Sequence, residues 1–305
     1  MRSPLRRLWR GVLYRVVPSI AGLAAGWRSP RQTVFRWPEG PIPVGARPCV
    51  FAHWDGAGEV RPHVLHYLRE LAGAGVSVLF VSNAGFLRPE ALAAVQAICA
   101  GVLIRRNFGY DFGAWREGLE ALGLPRADTE FAVLANDSVY GPLTPIGDLL
   151  GRIDPAQADV WGCTESWQSR YHLQSYFLAF APHVLASRAW AAFWAGVQPV
   201  PNKHYVIRHY EIGLSQALIR AGFTCRAVWP YPALVEGHVP RRRNTLNPTS
   251  DLWRPLLRAR FPFIKRELLR DNPMRVPGVA EWRDACRELG LDVTPVERDL
   301  ERLRH

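Results

Sequence analysis

The sequence contains almost no lysine and no long apolar run. Lys203 and Lys265 are the two lysines among 38 basic residues, so arginine supplies nearly all of the positive charge, and the formal net charge is +11. Arginine suits phosphate and carboxylate recognition, which leaves nucleic acid, an anionic membrane and a phosphorylated small molecule open as partners. A genome-wide preference for arginine is the plainer alternative. No stretch of about 20 uninterrupted apolar residues occurs, which argues against a membrane-spanning helix.

Several common motifs are also missing. No CxxC pair occurs, which argues against the usual zinc and redox sites, and the odd, widely spaced cysteines predict reduced thiols in a cytosolic protein. Neither GxGxxG nor a Walker A pattern is present, so dinucleotide and P-loop sites lose support. Arg15 interrupts the first apolar stretch, so we expect no cleavable signal peptide. The cysteines are Cys49, Cys99, Cys163, Cys225 and Cys286.

The N-terminal segment 2–17 has the spacing of an amphipathic helix. Its apolar positions recur every three or four residues, while arginines lie mostly around the other side. Such a helix can lie in a membrane interface or pack on the domain as an ordinary surface helix, and both alternatives stay open. Residues 28–48 are rich in Pro, Gly and Arg and predict an irregular connector. The apolar positions are Leu5, Leu8, Trp9, Val12 and Val16.

From residue 48 onwards, short apolar runs alternate with helical patterns. This alternation predicts an α/β fold with a parallel-rich sheet flanked by helices. Ligands of such sheets bind beyond the carboxyl ends of the strands, where this sequence places the polar segments 53–55, 82–83, 105–111 and 136–138. The predicted strands are Cys49–Ala52, Val76–Val81, Val102–Ile104 and Phe131–Ala135, and further on Val160–Cys163 and Gln174–Phe180.

The pattern divides the 305 residues into four parts. Residues 1–47 form the N-terminal helix and connector, 48–142 the regular α/β half, 143–240 a less regular second half, and 241–305 a helical C-terminal extension. In the second half, Ala189–Trp194 and Glu211–Arg220 are predicted helices.

The segment after the third strand is the richest candidate for ligand binding. Its glycines, Gly109 among them, let the backbone turn and approach a ligand, and the helix that follows can receive an anion at its N-terminus. Arg105, Arg106 and Asn107 stand beside that N-terminus. The alternative role for Asp111 is simply to cap the helix.

The fourth strand ends in Asn136 and Asp137. Hard divalent cations take oxygen ligands and often share them with substrate phosphates, so Asp137 is a candidate ligand for Mg²⁺ or Mn²⁺ against a diphosphate. The alternative is an Asx-type turn before Gly141 and Pro142.

The second half offers candidates for acceptor binding and catalysis. Alternation predicts that His172, Gln174 and Tyr176 share one face of a strand, where they could grip a sugar. Two carboxylates lie nearby in the sequence, Glu165 at a turn and Glu211 at the start of a helix. The alternative role for Glu211 is to complement the helix dipole.

These segments, in this order, resemble the rhamnan-synthesis F family of polysaccharide-assembling glycosyltransferases. The resemblance covers roughly residues 48–275 and implies a fold of the GT-A glycosyltransferase type, with a nucleotide-binding α/β domain merged with an acceptor region. The matching stretches are FVSN (80–83), RRNFGYDFGAW (105–115), NDSVYGP (136–142), HLQSYF (172–177), YEIGLS (210–215), NPTSDLW and FPFIKRELLRDNP.

The resemblance implies a rhamnosyltransferase that builds a cell-surface polysaccharide or O-antigen. The donor would be dTDP-rhamnose, and the acceptor a lipid-linked glycan at the cytoplasmic, inner face of the cell membrane, where an anionic surface would hold the protein peripherally. The reaction would be an inverting displacement, with Glu211 as base or Glu165 in its place. Donor-binding residues would be Asn83, Arg105, Arg106, Asn107, Gly109, Asp111 and Asn136, and Asp137 would hold the metal.

One departure from the family pattern keeps a second function open. GT-A enzymes usually carry Asp-x-Asp at the end of the fourth strand, whereas this sequence reads Ala135-Asn136-Asp137. A non-catalytic glycan-binding or scaffolding protein of a polysaccharide assembly complex is therefore the alternative. Nucleic acid is not an expected partner, because the polar residues gather at strand ends and not on a basic face with interleaved aromatics.

Overall fold

The computed structural model describes residues 32–200, 202–236 and 245–303. The predicted N-terminal amphipathic helix, 2–17, lies outside these residues. The strands are β1 (Thr33–Trp37), β2 (Pro48–His53), β3 (Ser77–Ser82), β4 (Gly101–Arg105), β5 (Ala132–Asn136), β6 (Val139–Tyr140), β7 (Val160–Ser166), β8 (His172–Leu173), β9 (Phe177–Phe180), β10 (Cys225–Trp229) and β11 (Ile264–Lys265).

The helices are given in chain order, with a π-helical stretch (Ile207–Glu211) before α8 and a 3-10 turn (Val279–Glu281) before α13. They are α1 (Pro62–Gly73), α2 (Pro89–Gln96), α3 (Tyr110–Leu122), α4 (Ile146–Leu150), α5 (Pro182–Leu185), α6 (Arg188–Gly196), α7 (Lys203–Val206), α8 (Ile212–Arg220), α9 (Tyr231–Leu234), α10 (Pro248–Asp251), α11 (Trp253–Arg258), α12 (Arg266–Arg270), α13 (Trp282–Glu288) and α14 (Thr294–Arg302). None of the helices in the described ranges is long and apolar enough to cross a membrane.

The main sheet has the strand order β1-β4-β3-β2-β5-β9-β7-β10. Strands β4, β3, β2 and β5 are parallel, and β9 runs antiparallel between β5 and β7. In register, Val50 lies opposite Leu79 on one side and Leu134 on the other. The predicted class, α/β with a mostly parallel sheet flanked by helices, is confirmed.

The core lies on both faces of the sheet because the central strands are apolar at nearly every position. On one face, Phe51 of β2 packs with Tyr67 and Leu68 of α1. On the other face, Val50 packs with Trp115 of α3. Burial on both faces explains why these strands read as continuous apolar runs in the sequence.

The α/β half and the second half are joined in one sheet. Strand β5 belongs to 48–142 and β9 to 143–240, and they pair directly, with Leu134 opposite Leu178. The carboxyl edge of the sheet is therefore continuous across both halves.

The structure corrects three local predictions. The connector 28–48 contains β1, which pairs antiparallel with β4 and alternates half-buried and exposed positions over Thr33–Trp37. The sequence did not predict this strand because Pro and Gly residues surround it. The predicted strand Gln174–Phe180 begins only at Phe177, since Gln174 turns inward to bond Thr164. Glu211 ends the π-helical stretch, and α8 begins one residue later.

The C-terminal extension packs against the turn that follows β5. Strand β11 pairs antiparallel with β6, which places Lys265 opposite Val139. Asp299 of α14 is fully buried and accepts hydrogen bonds from the Tyr140 hydroxyl at 2.7 Å and from Arg61 Nη1 at 3.3 Å. Residues far along the chain therefore hold β6, which follows closely on β5.

Candidate functional site

The carboxyl ends of the parallel strands meet at one edge of the sheet, as the sequence predicted. Asn83, after β3, donates from Nδ2 to the Tyr110 carbonyl at 3.1 Å. Asn136, at the end of β5, donates from Nδ2 to Asp111 Oδ2 at 2.9 Å. Segments that follow β3, β4 and β5 are thus tied together, and Asn107 and Asp137 lie at the same edge.

The buried side chain of Arg105 bonds several residues at this edge of the sheet. Its side chain is 2% exposed and donates to Asn83 Oδ1 at 2.5 Å, to the Phe108 carbonyl at 3.0 Å and to Glu117 Oε1 at 2.8 Å. Glu117 neutralises its charge, as a buried guanidinium requires. The Arg105 guanidinium therefore holds the loop between β4 and α3, and its bonds to Asn83, Phe108 and Glu117 occupy the group predicted to bind the donor.

The loop that Arg105 holds is exposed at its tip. Arg106, Asn107 and Phe108 are all exposed. Gly109 has φ +83°, and a Cβ there would lie 2.9 Å from Pro199 Cα, so the position requires glycine. Tyr110 has φ +53°, an uncommon conformation for a bulky residue, at the point where the loop becomes α3. Arg106 and Asn107 are thus displayed beside the α3 N-terminus, as predicted.

Two carboxylates that lie far from Asp111 in the sequence come within electrostatic range of it. The pKa of Asp111 is raised to about 7, above all because the carboxyl group is buried, and further because of the negative charges of Asp137 and Glu211. The Asn136 hydrogen bond and the Lys203 charge act in the opposite direction and lower this pKa. Asp111 therefore shares an acidic cluster with Asp137 and Glu211, and its carboxylate accepts from Asn136 and not from a backbone N–H at the start of α3.

The carboxylate of Asp137 is already paired with a cation. Arg266 Nη1 lies 3.1 Å from Asp137 Oδ2 and 2.7 Å from the Asp137 carbonyl oxygen, and the Trp54 backbone N–H approaches Oδ2 at 3.5 Å. Sequence reasoning missed this role of Arg266. The only sequence signal was its place in the stretch FPFIKRELLRDNP, which matched the family without any assigned function.

The residues around Asp137 do not fit the divalent cation predicted there. Arg266 occupies Oδ2, and Asn136 Oδ1, in place of the missing first carboxylate, accepts from Ser138 N at 3.1 Å and Ser138 Oγ at 2.5 Å. Within the described ranges, no three His, Cys, Asp or Glu side chains are grouped to hold a metal. The metal requirement itself stays a prediction.

The two candidate bases differ in how many of their oxygens the protein uses. Glu165 is buried, and its oxygens accept from the Tyr171 hydroxyl and from Tyr231 N, both at 2.9 Å. Glu211 is only partly buried, and its Oε1 accepts from Ser175 N at 3.1 Å. Its Oε2 makes no hydrogen bond within the part of the chain that the structure describes. Glu211 is therefore the better placed to take a proton.

The predicted sugar-gripping face is wrong as a shared strand face. Gln174 Oε1 and the Tyr176 hydroxyl both bond to Thr164 Oγ1, at 2.8 and 2.6 Å, and both side chains are buried. His172 lies apart in β8, with Nδ1 2.8 Å from the Arg170 carbonyl. Gln174 and Tyr176 are thus brought together in the interior, where Thr164, and for the Gln174 amide also Asn247 and Thr249, bond the groups predicted to meet a sugar.

A family model described as rhamnan synthesis protein F matches residues 78–281, which is more than half of the chain. The chain belongs to this family. The matched range includes Arg105, Asp111, Asp137, Glu211 and Arg266, so the acidic cluster and its cation lie within the family's own region.

This rhamnan synthesis F member is also similar to two curated proteins. It is 30% identical over 219 residues to protein y4gN of Sinorhizobium fredii, covering 70% of this chain and 57% of that protein. It is 29% identical over 203 residues to virulence protein VirA of Vibrio anguillarum, covering 59% of this chain and 65% of that protein. The chain thus spans less than two thirds of the length of either relative.

A solved structure with a similar arrangement is that of an active-site mutant of LgtC. It shares 13% identity with this family member, and the superposition covers 83% of this chain and 99% of that chain with a TM-score of 0.43. At such a TM-score the likeness carries no functional weight.

Proposed function

We propose that this family member is a glycosyltransferase that moves rhamnose from dTDP-rhamnose to a hydroxyl of a growing cell-surface polysaccharide or O-antigen glycan. The observation that carries the proposal is the cluster of Asp111, Asp137 and Glu211 at the carboxyl edge of the sheet, with Arg266 beside it. A carboxylate with a free oxygen can serve as a base, and a neighbouring cation can stabilise a leaving diphosphate. Membership of the rhamnan synthesis F family supports the choice of sugar.

The donor would lie along the strand ends and the start of α3. Arg106 and Asn107 are exposed there, and the N-terminus of a helix favours a phosphate. Trp54, just beyond β2, is 52% exposed and offers a ring on which a nucleobase could stack. In this proposal Asn83 and Arg105 hold the loop in position, and Gly109 allows its close approach to the neighbouring segment.

The proposed reaction is a single displacement with inversion. The acceptor hydroxyl attacks the anomeric carbon of the donor while its proton passes to Glu211. The bond between that carbon and the diphosphate oxygen breaks, and dTDP leaves with the electron pair. Glu211 suits the role because the Ser175 N–H fixes one carboxylate oxygen and leaves the other available. Glu165 is the alternative base.

The test is the release of dTDP from dTDP-rhamnose, with water as the acceptor. Glu211→Gln should keep its affinity for dTDP and lower turnover by about 10²–10⁴, the usual effect of losing a positioned base. Glu90→Gln, an exposed carboxylate on α2, is the matched control and should turn over normally. Normal turnover in Glu211→Gln together with a collapse in Glu165→Gln would move the role to Glu165.

The same assay addresses the second candidate function. A non-catalytic glycan-binding or scaffolding protein is favoured by Asn136, which stands where the first carboxylate of Asp-x-Asp would be. Such a protein would release no dTDP from dTDP-rhamnose under any condition. Release above the rate of the uncatalysed reaction would exclude this alternative.

We further propose that the protein works peripherally on the inner face of the cell membrane, on a lipid-linked glycan. The sequence of residues 2–17, with arginines beside an apolar face, supports this proposal. Deletion of residues 1–17 should abolish binding to vesicles that contain anionic phosphatidylglycerol and leave dTDP affinity unchanged. Equal vesicle binding by the full and shortened chains would overturn the membrane proposal.

A further inference from the structure

The position of Arg266 is fixed by backbone pairing with the turn that carries Asp137. In the β6–β11 ladder, Lys265 pairs with Val139, and Arg266 N then donates to the Ser138 carbonyl at 3.0 Å. The side chain returns along this turn, so that Nη1 bonds both the carbonyl and the carboxylate of Asp137. One side of the guanidinium is therefore held rigidly at the end of β5.

The guanidinium also lies over the Tyr140 ring, with Cζ 5.9 Å from the ring centroid, and its charge acts on Asp299, but two of its nitrogens have no hydrogen-bond partner in the described part of the chain. Arg266 Nη2 makes no hydrogen bond within the described ranges. It is also not among the polar atoms that are buried without a partner, so it keeps contact with solvent. Nε is buried and has no acceptor there. The side chain as a whole is 14% exposed. A mostly buried guanidinium with unused donors is costly, and an anionic ligand would relieve that cost.

Arg266 reaches the acidic cluster through its bond to Asp137. Lys203 Nζ lies 3.9 Å from Oε1 of Glu267, the residue after Arg266, and the charge of Lys203 also acts on Asp111. The N-termini of α3, α7 and α12 therefore border one region. Three carboxylates in that region would repel a diphosphate unless a fixed positive charge stood among them.

We propose that Arg266, and not a divalent cation, carries the charge that binds the diphosphate of the donor. Asp137 then positions Arg266 and is not a metal ligand. A guanidinium donates in a fork that matches phosphate oxygens, and its charge stabilises the dTDP that leaves. This inference rests on the proposed function, because it assumes a donor with a diphosphate.

Titration calorimetry with dTDP tests the inference, first on the unaltered protein. Affinity should be the same in EDTA and in excess Mg²⁺ or Mn²⁺. Binding that is lost in EDTA and restored by Mn²⁺ would overturn the inference without touching the proposed function. This comparison needs no variant, so it holds even if a substitution at Arg266 were to prevent folding. No dTDP binding in any condition would overturn the proposed function and the inference together.

The variants then separate charge from structure. Arg266→Gln should bind dTDP in EDTA at least about tenfold more weakly, the effect of losing a hydrogen-bonding charge, and Arg266→Lys should lose less. Arg220→Gln, which removes an exposed charge at the end of α8, is the control and should bind normally. Asp137→Asn should weaken dTDP binding equally with and without Mg²⁺. Unchanged affinity in a folded Arg266→Gln would overturn the inference.

Discussion

Replacement of Asp111 by asparagine is expected to stabilise the protein above pH 7 and to change little at pH 4. In the folded state, burial and the charges of Asp137 and Glu211 raise the pKa of Asp111 from 3.8 to about 7. The folded protein therefore holds this proton more tightly than the unfolded chain does. It follows that the free energy of unfolding falls as the pH rises from about 4 to about 7.

The size of this effect follows from the pKa. One pKa unit corresponds to about 1.4 kcal/mol, so ionisation of Asp111 costs at most about 4 kcal/mol of stability. The side chain is only partly buried, and solvent screening reduces the expected cost to about 2 kcal/mol. Asparagine has the shape of the protonated acid and can still accept from Asn136, so it should remove the cost without losing that hydrogen bond.

Urea unfolding of the unaltered protein and of Asp111→Asn between pH 4 and pH 8.5 measures the effect. The difference in free energy of unfolding should grow with pH in favour of the variant and level off above pH 7. Asp128→Asn, on the exposed loop before β5, controls for the general effect of removing a negative charge. A difference curve that is flat, or that favours the unaltered protein at high pH, would refute the reasoning.

Three other substitutions test how the site is held. Glu117→Gln leaves the buried Arg105 without its counter-charge and should lower the free energy of unfolding by about 3–5 kcal/mol, as measured by urea denaturation. Gly109→Ala should destabilise by about 1–3 kcal/mol in the same assay, because φ is +83° and a Cβ would lie 2.9 Å from backbone. Burial disfavours ionised Asp299, but His63, with Nδ1 3.3 Å away, the Tyr140 hydroxyl and the Arg266 charge together outweigh it and hold the pKa of Asp299 below its usual range. The loss of stability in Asp299→Asn should therefore be full at pH 7 and shrink as the pH falls below about 4.

The parallel strands could be predicted because each one contains, within its own residues, the apolar run that marks it as a strand. Strand β3, Ser77–Ser82, lies within one residue of the predicted Val76–Val81, since a continuous apolar run between polar residues requires burial on both faces. Strand β1 was missed because it is a half-exposed edge strand whose pairing with β4 gives no signal within Thr33–Trp37 itself. The local apolar pattern thus predicts the central strands of a sheet better than its edge strands.

For the candidate site, the sequence could predict only which polar residues follow the ends of the strands and therefore lie at one edge of the sheet. The sequence places Asn136 and Asp111 beyond two strands that end at one edge, and the structure joins them at 2.9 Å. The roles of the arginines could not be predicted in this way. Arg105 is turned inward by Glu117, which lies in the next helix, and Arg266 reaches Asp137 across 129 residues. Such pairings are set by tertiary packing, which periodicity does not encode.

The C-terminal extension therefore completes the edge at which the donor is proposed to bind. One residue of the turn after β5 and one of β6 are held by it, since Asp137 bonds Arg266 and Tyr140 bonds Asp299. The other strand ends at this edge come from the α/β half and from the second half, which pair through β5 and β9. Without the extension, Asp137 would keep its negative charge and lose its cation, and the acidic cluster would repel a diphosphate. If the proposal for Arg266 holds, this C-terminal extension therefore supplies the positive charge that lets the edge bind a diphosphate.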